Sequence, residues 1–187
     1  MPFFSVVIPT FNQSNYLKKA IESVLAQKYK NYEIIIIDNN SKDETKKVIK
    51  SFKSKKIVYR KINNKGIIAK SRNLGIKVAK GKWIALLDSD DFWYEDKLKD
   101  VFKIIKKKEK IDVICNDKIV SYDNTKVKKI YRYGPYKPNF YEYLLKNGNR
   151  VSTSASVVKK YFLVKNNKKY NENKKFVTTE DYDFFLN

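Results

Sequence analysis

The sequence has 187 residues, 42% of them hydrophobic and 14% aromatic, a composition that supports one globular core and excludes a disordered chain. Its formal net charge of +21 is typical of proteins that bind nucleic acid or anionic membranes. Only four of the 41 basic residues are Arg, the residue favoured for bidentate recognition of bases and phosphates, so specific nucleic acid binding is not expected and weak attraction to an anionic membrane surface remains open.

The first part of the chain alternates apolar strands with amphipathic helices. The predicted elements are a strand over 3–9, a helix capped by Ser14, a strand over 32–37, a helix opened by Ser41 and Glu44 as a capping box, a strand over 57–60, a helix over 69–80 stopped by Gly81, a strand over 82–87, a helix over 95–108 and a strand over 112–115. This alternation predicts an α/β fold with a mainly parallel, Rossmann-like sheet flanked by helices.

The pattern becomes irregular after residue 116. It predicts a hairpin over 118–122 and 126–133 with its turn at Asp123 and Asn124, a short helix over 140–146, a strand over 151–159 and a polar loop over 165–175. Because no linker separates the two parts, we expect a single domain over 1–187, with a nucleotide-binding half over 1–116 and a smaller irregular half over 117–187. Cys115 is predicted to be a core thiol, and a single cysteine cannot form an internal disulfide.

Polar residues follow three of the predicted parallel strands, at 9–12, at 38–41 and at 88–91. The last of these, Asp-Ser-Asp-Asp, is called the acidic turn below. Since the carboxyl ends of parallel strands meet at one edge of a sheet, the three loops are expected to surround one cleft. Carboxylates combined with substrate phosphates are a common way to hold Mg²⁺ or Mn²⁺, although Asp and Ser are also favoured in ordinary turns.

Several enzyme classes are excluded by residues that the chain lacks. It contains no Gly-rich dinucleotide fingerprint and no P-loop motif, which argues against a dinucleotide-dependent oxidoreductase and a P-loop nucleotidase. It also contains no His, which removes imidazole-based catalysis and most zinc sites. Carboxylates, Lys, Tyr, Ser and Thr remain as candidate chemical groups.

Five motifs occur in a fixed order: FSVVIPTFN at 4–12, YEIIIIDNNSKDET at 32–45, Gly66 with AKSRNLG at 69–75, the acidic turn at 88–91 and TEDYD at 179–183. Together they resemble the family 2 inverting glycosyltransferases of GT-A fold, of the type that makes bacterial polysaccharides and glycans. The resemblance implies a nucleotide-diphosphate sugar donor, a UDP-sugar in the first instance, and a glycan or lipid-linked acceptor bound by the second half of the chain.

The resemblance also implies roles for individual residues. Thr10 and Asp38 match positions that hold the uracil and ribose, Asp88 faces the ribose and metal, and Asp90 is the direct ligand of Mn²⁺ or Mg²⁺. The expected donor site as a whole consists of Pro9, Thr10, Asn12, Asp38, Arg72, Asn73, Asp88, Ser89 and Asp90. Two alternatives stay open: Arg72 on a helix surface, and Asp38 as a helix-entry cap, which is disfavoured because Ser41 is expected to cap that helix.

By the same resemblance Asp181 is the general base that deprotonates the acceptor hydroxyl, which would give inversion. The alternative is that Glu180 and Asp181 only open a terminal helix against its dipole. A nucleotidyltransferase and a non-catalytic protein that binds nucleic acid or membrane surfaces remain alternative functions. The chain stops at Asn187, where the family usually continues, so it is expected to be truncated. Without an apolar run of ~18 residues, we expect a cytoplasmic chain, at most peripheral to the inner face of the cell membrane.

Overall fold

The structure is a computed structural model that describes residues 1–108, 110–121, 128–134 and 139–186. The strands in chain order are β1 (Phe4–Thr10), β2 (Tyr32–Asp38), β3 (Ile57–Lys61), β4 (Trp83–Leu86), β5 (Val113–Cys115), β6 (Lys118–Ser121), β7 (Lys128–Tyr131) and β8 (Ser156–Lys159). The helices are α1 (Ser14–Leu25), α2 (Thr45–Ser51), α3 (Ile68–Val78), α4 (Lys97–Lys107), α5 (Phe140–Asn147), α6 (Lys160–Lys165) and α7 (Glu180–Leu186). Across these ranges no helix is both long and apolar enough to cross a membrane.

Six strands form the main sheet, in the order β3-β2-β1-β4-β8-β5. The four strands from β3 to β4 are parallel to one another, as the alternating pattern predicted. Every residue of β1 and β2 is buried, because helices cover both faces of the sheet. Along β1, Val6 packs in the core that includes α1 and α4, while Val7 packs in the core on the opposite face with α3, α6 and α7.

The second half of the chain completes the sheet. Strand β8 is inserted between β4 and β5 and is antiparallel to both. It is shorter than predicted because a 3₁₀ turn at Thr153–Ala155 precedes it. Strand β5 therefore runs in the same direction as β4, and its last residue, Cys115, is half-buried rather than a core thiol.

Strands β6 and β7 pair antiparallel in a separate two-stranded sheet, as the predicted hairpin requires. The predicted turn at Asp123 and Asn124 and the predicted start of the second strand at 126–127 lie outside the described residues.

Both predicted serine caps are wrong. Helix α1 begins at Ser14 itself, whose backbone N–H donates to Asp43 Oδ2 at 2.8 Å. Helix α2 begins at Thr45, whose backbone N–H and hydroxyl both donate to Asp43 Oδ1, at 3.1 and 2.6 Å. One carboxylate thus serves two helix amino termini, where negative charge is favourable. The Ser41 hydroxyl accepts the backbone N–H of Asn12 instead, and α2 begins only at Thr45.

Two glycines set the spacing between α3 and the sheet. Helix α3 ends at Val78 with Ala79 after it, so the predicted glycine stop at Gly81 is wrong. A Cβ at Gly81 would lie 2.6 Å from the backbone nitrogen of Ser5, so this glycine permits close backbone contact instead. A Cβ at Gly75 would lie 2.3 Å from Val7 Cγ1, which identifies the point of closest approach between α3 and β1.

Candidate active site

A cleft of about 400 Å³ lies at the carboxyl ends of the parallel strands. Six of the predicted donor-site residues line it, and these are Pro9, Thr10, Arg72, Asp88, Ser89 and Asp90. Asn39, in the loop after β2, also lines the cleft, so the loops after β1, β2 and β4 meet there as expected. Sequence reasoning did not select Gln13, Asn64, Ile68 and Ser71, which also line the cleft. Their only signal was proximity in sequence to the predicted motifs, since Gln13 follows Asn12 and Ser71 precedes Arg72.

The acidic turn is held from two sides. The backbone N–H of Asp88 donates to the hydroxyl of Ser154 at 3.0 Å, and the hydroxyl of buried Ser89 donates to Gln13 Oε1 at the start of α1. The backbone N–H of Asp91 donates to the carbonyl of Asp88 at 3.1 Å. This bracing fixes the backbone while Asp90 stays exposed.

The carboxylates of the acidic turn fit a divalent cation that is bound partly by the protein and partly by a substrate phosphate. The described residues contain no group of three or more His, Cys, Asp or Glu that could enclose a metal, and Asp88 and Asp90 are the carboxylates that line the cleft. Asp88 Oδ1 forms an ion pair with Arg72. Mg²⁺ is commonly bound by one or two carboxylates together with substrate phosphates, which matches this arrangement.

Arg72 links two distant acidic motifs. Its side chain is 5% exposed; Nη2 lies 2.8 Å from Asp88 Oδ1 and Nη1 lies 2.7 Å from Glu180 Oε1. The guanidinium also lies over the ring of Tyr170, 5.2 Å from its centroid. A surface position for Arg72, one of the two alternatives from the sequence, is therefore wrong. The buried ion pairs bring the Glu-Asp motif of α7 beside the acidic turn.

Asp181 is the second residue of α7 and is half-buried. Its Oδ2 accepts from Asn149 Nδ2 at 3.1 Å. Burial raises the pKa of its carboxyl, and the neighbouring charge of Glu180 raises it further, against the opposing effects of the Tyr182 backbone N–H and Arg72. A carboxylate with a raised pKa is a stronger base than an exposed one. Glu180 and Asp181 also lie in the first helical turn, so the helix-dipole interpretation holds in addition.

Asp38 is buried at the end of β2, where both of its oxygens are bonded to the protein. Oδ1 accepts the backbone N–H of Ser41 at 2.9 Å, and Oδ2 accepts the hydroxyl of Tyr59 at 2.7 Å. A structural role for Asp38 was disfavoured because Ser41 was expected to cap α2. Ser41 does not cap α2, so that objection to a structural role is wrong. Asp38 holds the loop behind the cleft and is not one of the residues that line it.

Asn12 and Asn73 also hold loops around the cleft. Asn12 has a left-handed φ of 50°, and its Oδ1 accepts the backbone N–H of Lys42 at 2.8 Å. Asn73 donates to the carbonyl of Tyr170 and to Glu172 Oε1, both at 2.9 Å. In contrast, the Thr10 hydroxyl is buried at the cleft and has no hydrogen-bond partner in the described part of the chain.

The fold is of GT-A type, as the sequence motifs predicted. The crystal structure of residues 1–349 of TarS from S. aureus superimposes with a TM-score of 0.78, at 23% identity, over 98% of this chain and 54% of that one. The family model for glycosyl transferase family 2 matches residues 5–170. The chain belongs to that family.

Curated relatives support the same assignment. An uncharacterized glycosyltransferase of Rickettsia prowazekii is 42% identical over 113 residues, 60% of this chain and 35% of the relative. WfaP of Escherichia coli, described as a UDP-Glc:alpha-D-GlcNAc-diphosphoundecaprenol beta-1,3-glucosyltransferase, is 41% identical over 98 residues, 52% of this chain and 39% of WfaP. The matched region thus spans little more than a third of the length of either relative.

Proposed function

We propose that this chain transfers a glycosyl group from a UDP-sugar to a hydroxyl of a glycan or lipid-linked acceptor, with inversion. One observation carries the proposal: Thr10, Arg72, Asp88 and Asp90 line a single cleft at the carboxyl edge of the sheet. The unpartnered Thr10 hydroxyl offers a hydrogen bond to a bound ligand. WfaP by its name uses UDP-Glc and a diphosphoundecaprenol acceptor, and TarS has been crystallised with UDP and with UDP-GlcNAc.

The acidic turn would bind the diphosphate end of the donor. Asp88 and Asp90 are the residues that would hold Mn²⁺ or Mg²⁺ there. When bound, the cation supplies Lewis-acid stabilisation of the charge that develops on the departing nucleotide diphosphate. Asp88 is kept in its orientation by Arg72 and by the Ser154 hydroxyl, so little reorganisation is needed when the donor binds.

Asp181 would accept the proton of the acceptor hydroxyl as the oxygen attacks the anomeric carbon. Its raised pKa favours proton acceptance, and its hydrogen bond from Asn149 orients the carboxylate. A base on the side of the sugar opposite the leaving diphosphate gives inverted stereochemistry, as in inverting glycosidases. Arg72 fixes Glu180, the residue before Asp181, and so restricts where the base can lie.

Calorimetric titration of UDP, with Mn²⁺ and with EDTA, tests the donor site. We expect binding by the wild type to depend on Mn²⁺ and Asp90→Asn to lose most of that dependence. Asp100→Asn is the matched control, because Asp100 is an exposed acidic residue on α4 whose carboxylate pairs with Lys103. Equal affinities for the wild type and Asp90→Asn in both solutions would contradict the metal role.

The base is tested by turnover of the UDP-sugar with saturating acceptor. Asp181→Asn preserves shape but cannot take up the proton, so we expect turnover to fall ~10² to 10⁴-fold while UDP affinity stays unchanged. Transfer by Asp181→Asn at the wild-type rate would show that another group is the base.

A further inference from the structure

The β6–β7 hairpin projects from the same edge of the sheet as the cleft. Strand β5 runs parallel to β4, so the chain leaves both strands at the carboxyl edge. Asn116, which connects β5 to the hairpin, donates its backbone N–H to the carbonyl of Ala155 at 3.2 Å. The neighbouring residue Ser154 accepts the backbone N–H of Asp88. The base of the hairpin is therefore adjacent to the support of the acidic turn.

One face of the hairpin exposes an apolar pair. Ile119 and Ile130 are directly opposite in the register and are 44% and 56% exposed. Since side chains alternate between the faces of a strand, Lys128 and Ser121 share this face, and both are exposed. The other face carries Val120 and Tyr131, which are partly buried. Ile119, Ile130 and Lys128 are called the hairpin face below.

The hairpin is also strongly basic. Among its described residues Asp117 is the single acid, whereas the basic residues are Lys118, Lys128, Lys129 and Arg132. Asp117 Oδ1 accepts the backbone N–H of Tyr133 at 2.9 Å, so that carboxylate is occupied in closing the base of the hairpin. Exposed aliphatic side chains surrounded by Lys and Arg are complementary to the interface of an anionic bilayer, which has apolar chains beneath charged phosphates.

We propose that the hairpin face docks on an anionic lipid bilayer, with Ile119 and Ile130 inserted among the headgroups and the basic side chains paired with lipid phosphates. This orientation turns the carboxyl edge of the sheet, and with it the cleft, toward the membrane surface. The proposal goes beyond glycosyl transfer and does not depend on it, because lipid binding can be measured without a nucleotide.

A second exposed apolar pair supplies a matched control. Tyr161 and Val164 on α6 are 65% and 68% exposed, with Lys160 and Lys165 in the same helix. Helix α6 follows β8, which runs antiparallel to β4, so α6 lies at the opposite edge of the sheet from the cleft. A bilayer that contacts the hairpin face is therefore not expected to contact α6.

Co-sedimentation with vesicles provides the first measurement. Phosphatidylcholine vesicles with and without phosphatidylglycerol are mixed with the wild type, with Ile119→Ser/Ile130→Ser, with Lys128→Gln, and with Tyr161→Ser/Val164→Ser. We expect wild-type binding only to the vesicles with phosphatidylglycerol, weakened by at least about tenfold without the isoleucines and by about fivefold in Lys128→Gln. The α6 variant is expected to bind like the wild type.

A local probe gives a second, independent readout. In a Cys115→Ser background, an environment-sensitive fluorophore is attached at Ile130→Cys or at Val164→Cys. We expect a blue shift with anionic vesicles at position 130 and none at position 164. Any one of four results would overturn the proposal. Two concern co-sedimentation: equal weakening by the hairpin and α6 variants, or wild-type binding to neutral vesicles that equals its binding to anionic ones. Two concern the fluorophore: a shift confined to position 164, or full competition by soluble polyphosphate without any shift.

Discussion

Replacing Arg72 with Met tests whether one buried guanidinium holds the two acidic motifs together. The variant keeps the volume of the side chain but removes the partner of Glu180, whose side chain is 9% exposed. The second carboxylate oxygen of Glu180 is already buried without a hydrogen-bond partner among the described residues. Breaking a buried ion pair from one side costs about 3–5 kcal/mol. Asp88 is 28% exposed, so water can compensate its lost contact, and most of the cost should arise at Glu180.

Urea denaturation of four proteins measures this effect: wild type, Arg72→Met, Glu180→Gln and the double variant. We expect the double variant to be more stable than Arg72→Met, because the neutral amide at position 180 leaves no unpaired buried charge. The expected coupling energy between Arg72 and Glu180 is about 2 kcal/mol. Lys146→Met is the control. Its ion pair with Glu142 has the same 2.6–2.7 Å separation as the Arg72–Glu180 pair, but its side chains are 71% and 56% exposed, so the loss should stay below about 1 kcal/mol.

A buried bridge is contradicted if Arg72→Met is no more destabilising than Lys146→Met. It is also contradicted if the Arg72 and Glu180 effects add within about 0.5 kcal/mol, because additive effects are those of residues that do not interact.

Three further predictions concern stability. Burial raises the pKa of Asp181 above its usual 3.8, so Asp181→Asn should be more stable than the wild type at neutral pH. The gain should shrink as the pH falls and vanish below 3.8, where the carboxyl is protonated in both folded and unfolded chains; a gain that persists in that acid range contradicts this. Burial lowers the pKa of Lys97 to about 7 from 10.5. In urea unfolding, the free energy of unfolding of Lys97→Met should therefore exceed that of the wild type most below pH 7, and the difference should decline toward pH 10.5. A difference that does not change with pH excludes titration of this amine. Gly75→Ala would force a Cβ against Val7 and should cost about 1–3 kcal/mol. Gly134→Ala, whose added Cβ meets no described atom within 4 Å, should stay within about 0.5 kcal/mol. Thermal melts compare the two variants, and equal losses for the two glycines would exclude a steric cause.

Apolar patterning was enough to predict the parallel part of the sheet and the location of the cleft. The apolar runs of β1, β2 and β4 require burial on both faces, and the polar residues that follow them must then lie at one edge. Thr10, Asp88 and Asp90 could be predicted as cleft residues for this reason. Each is within a few residues of a strand end, so its position does not depend on a contact with a distant part of the chain.

The partners of the polar side chains, in contrast, became known only from the folded chain. Arg72 is 16 residues from Asp88 and 108 residues from Glu180, and no local periodicity encodes pairing at such separations. The cap of α1 and α2 could not be predicted for the same reason, because Asp43 reaches the start of α1 only in the folded chain, where the Ser41 hydroxyl contacts Asn12 in a different loop. Apolar patterning is a property of consecutive residues, whereas hydrogen-bond and ion-pair partners depend on which loops the closed sheet brings together.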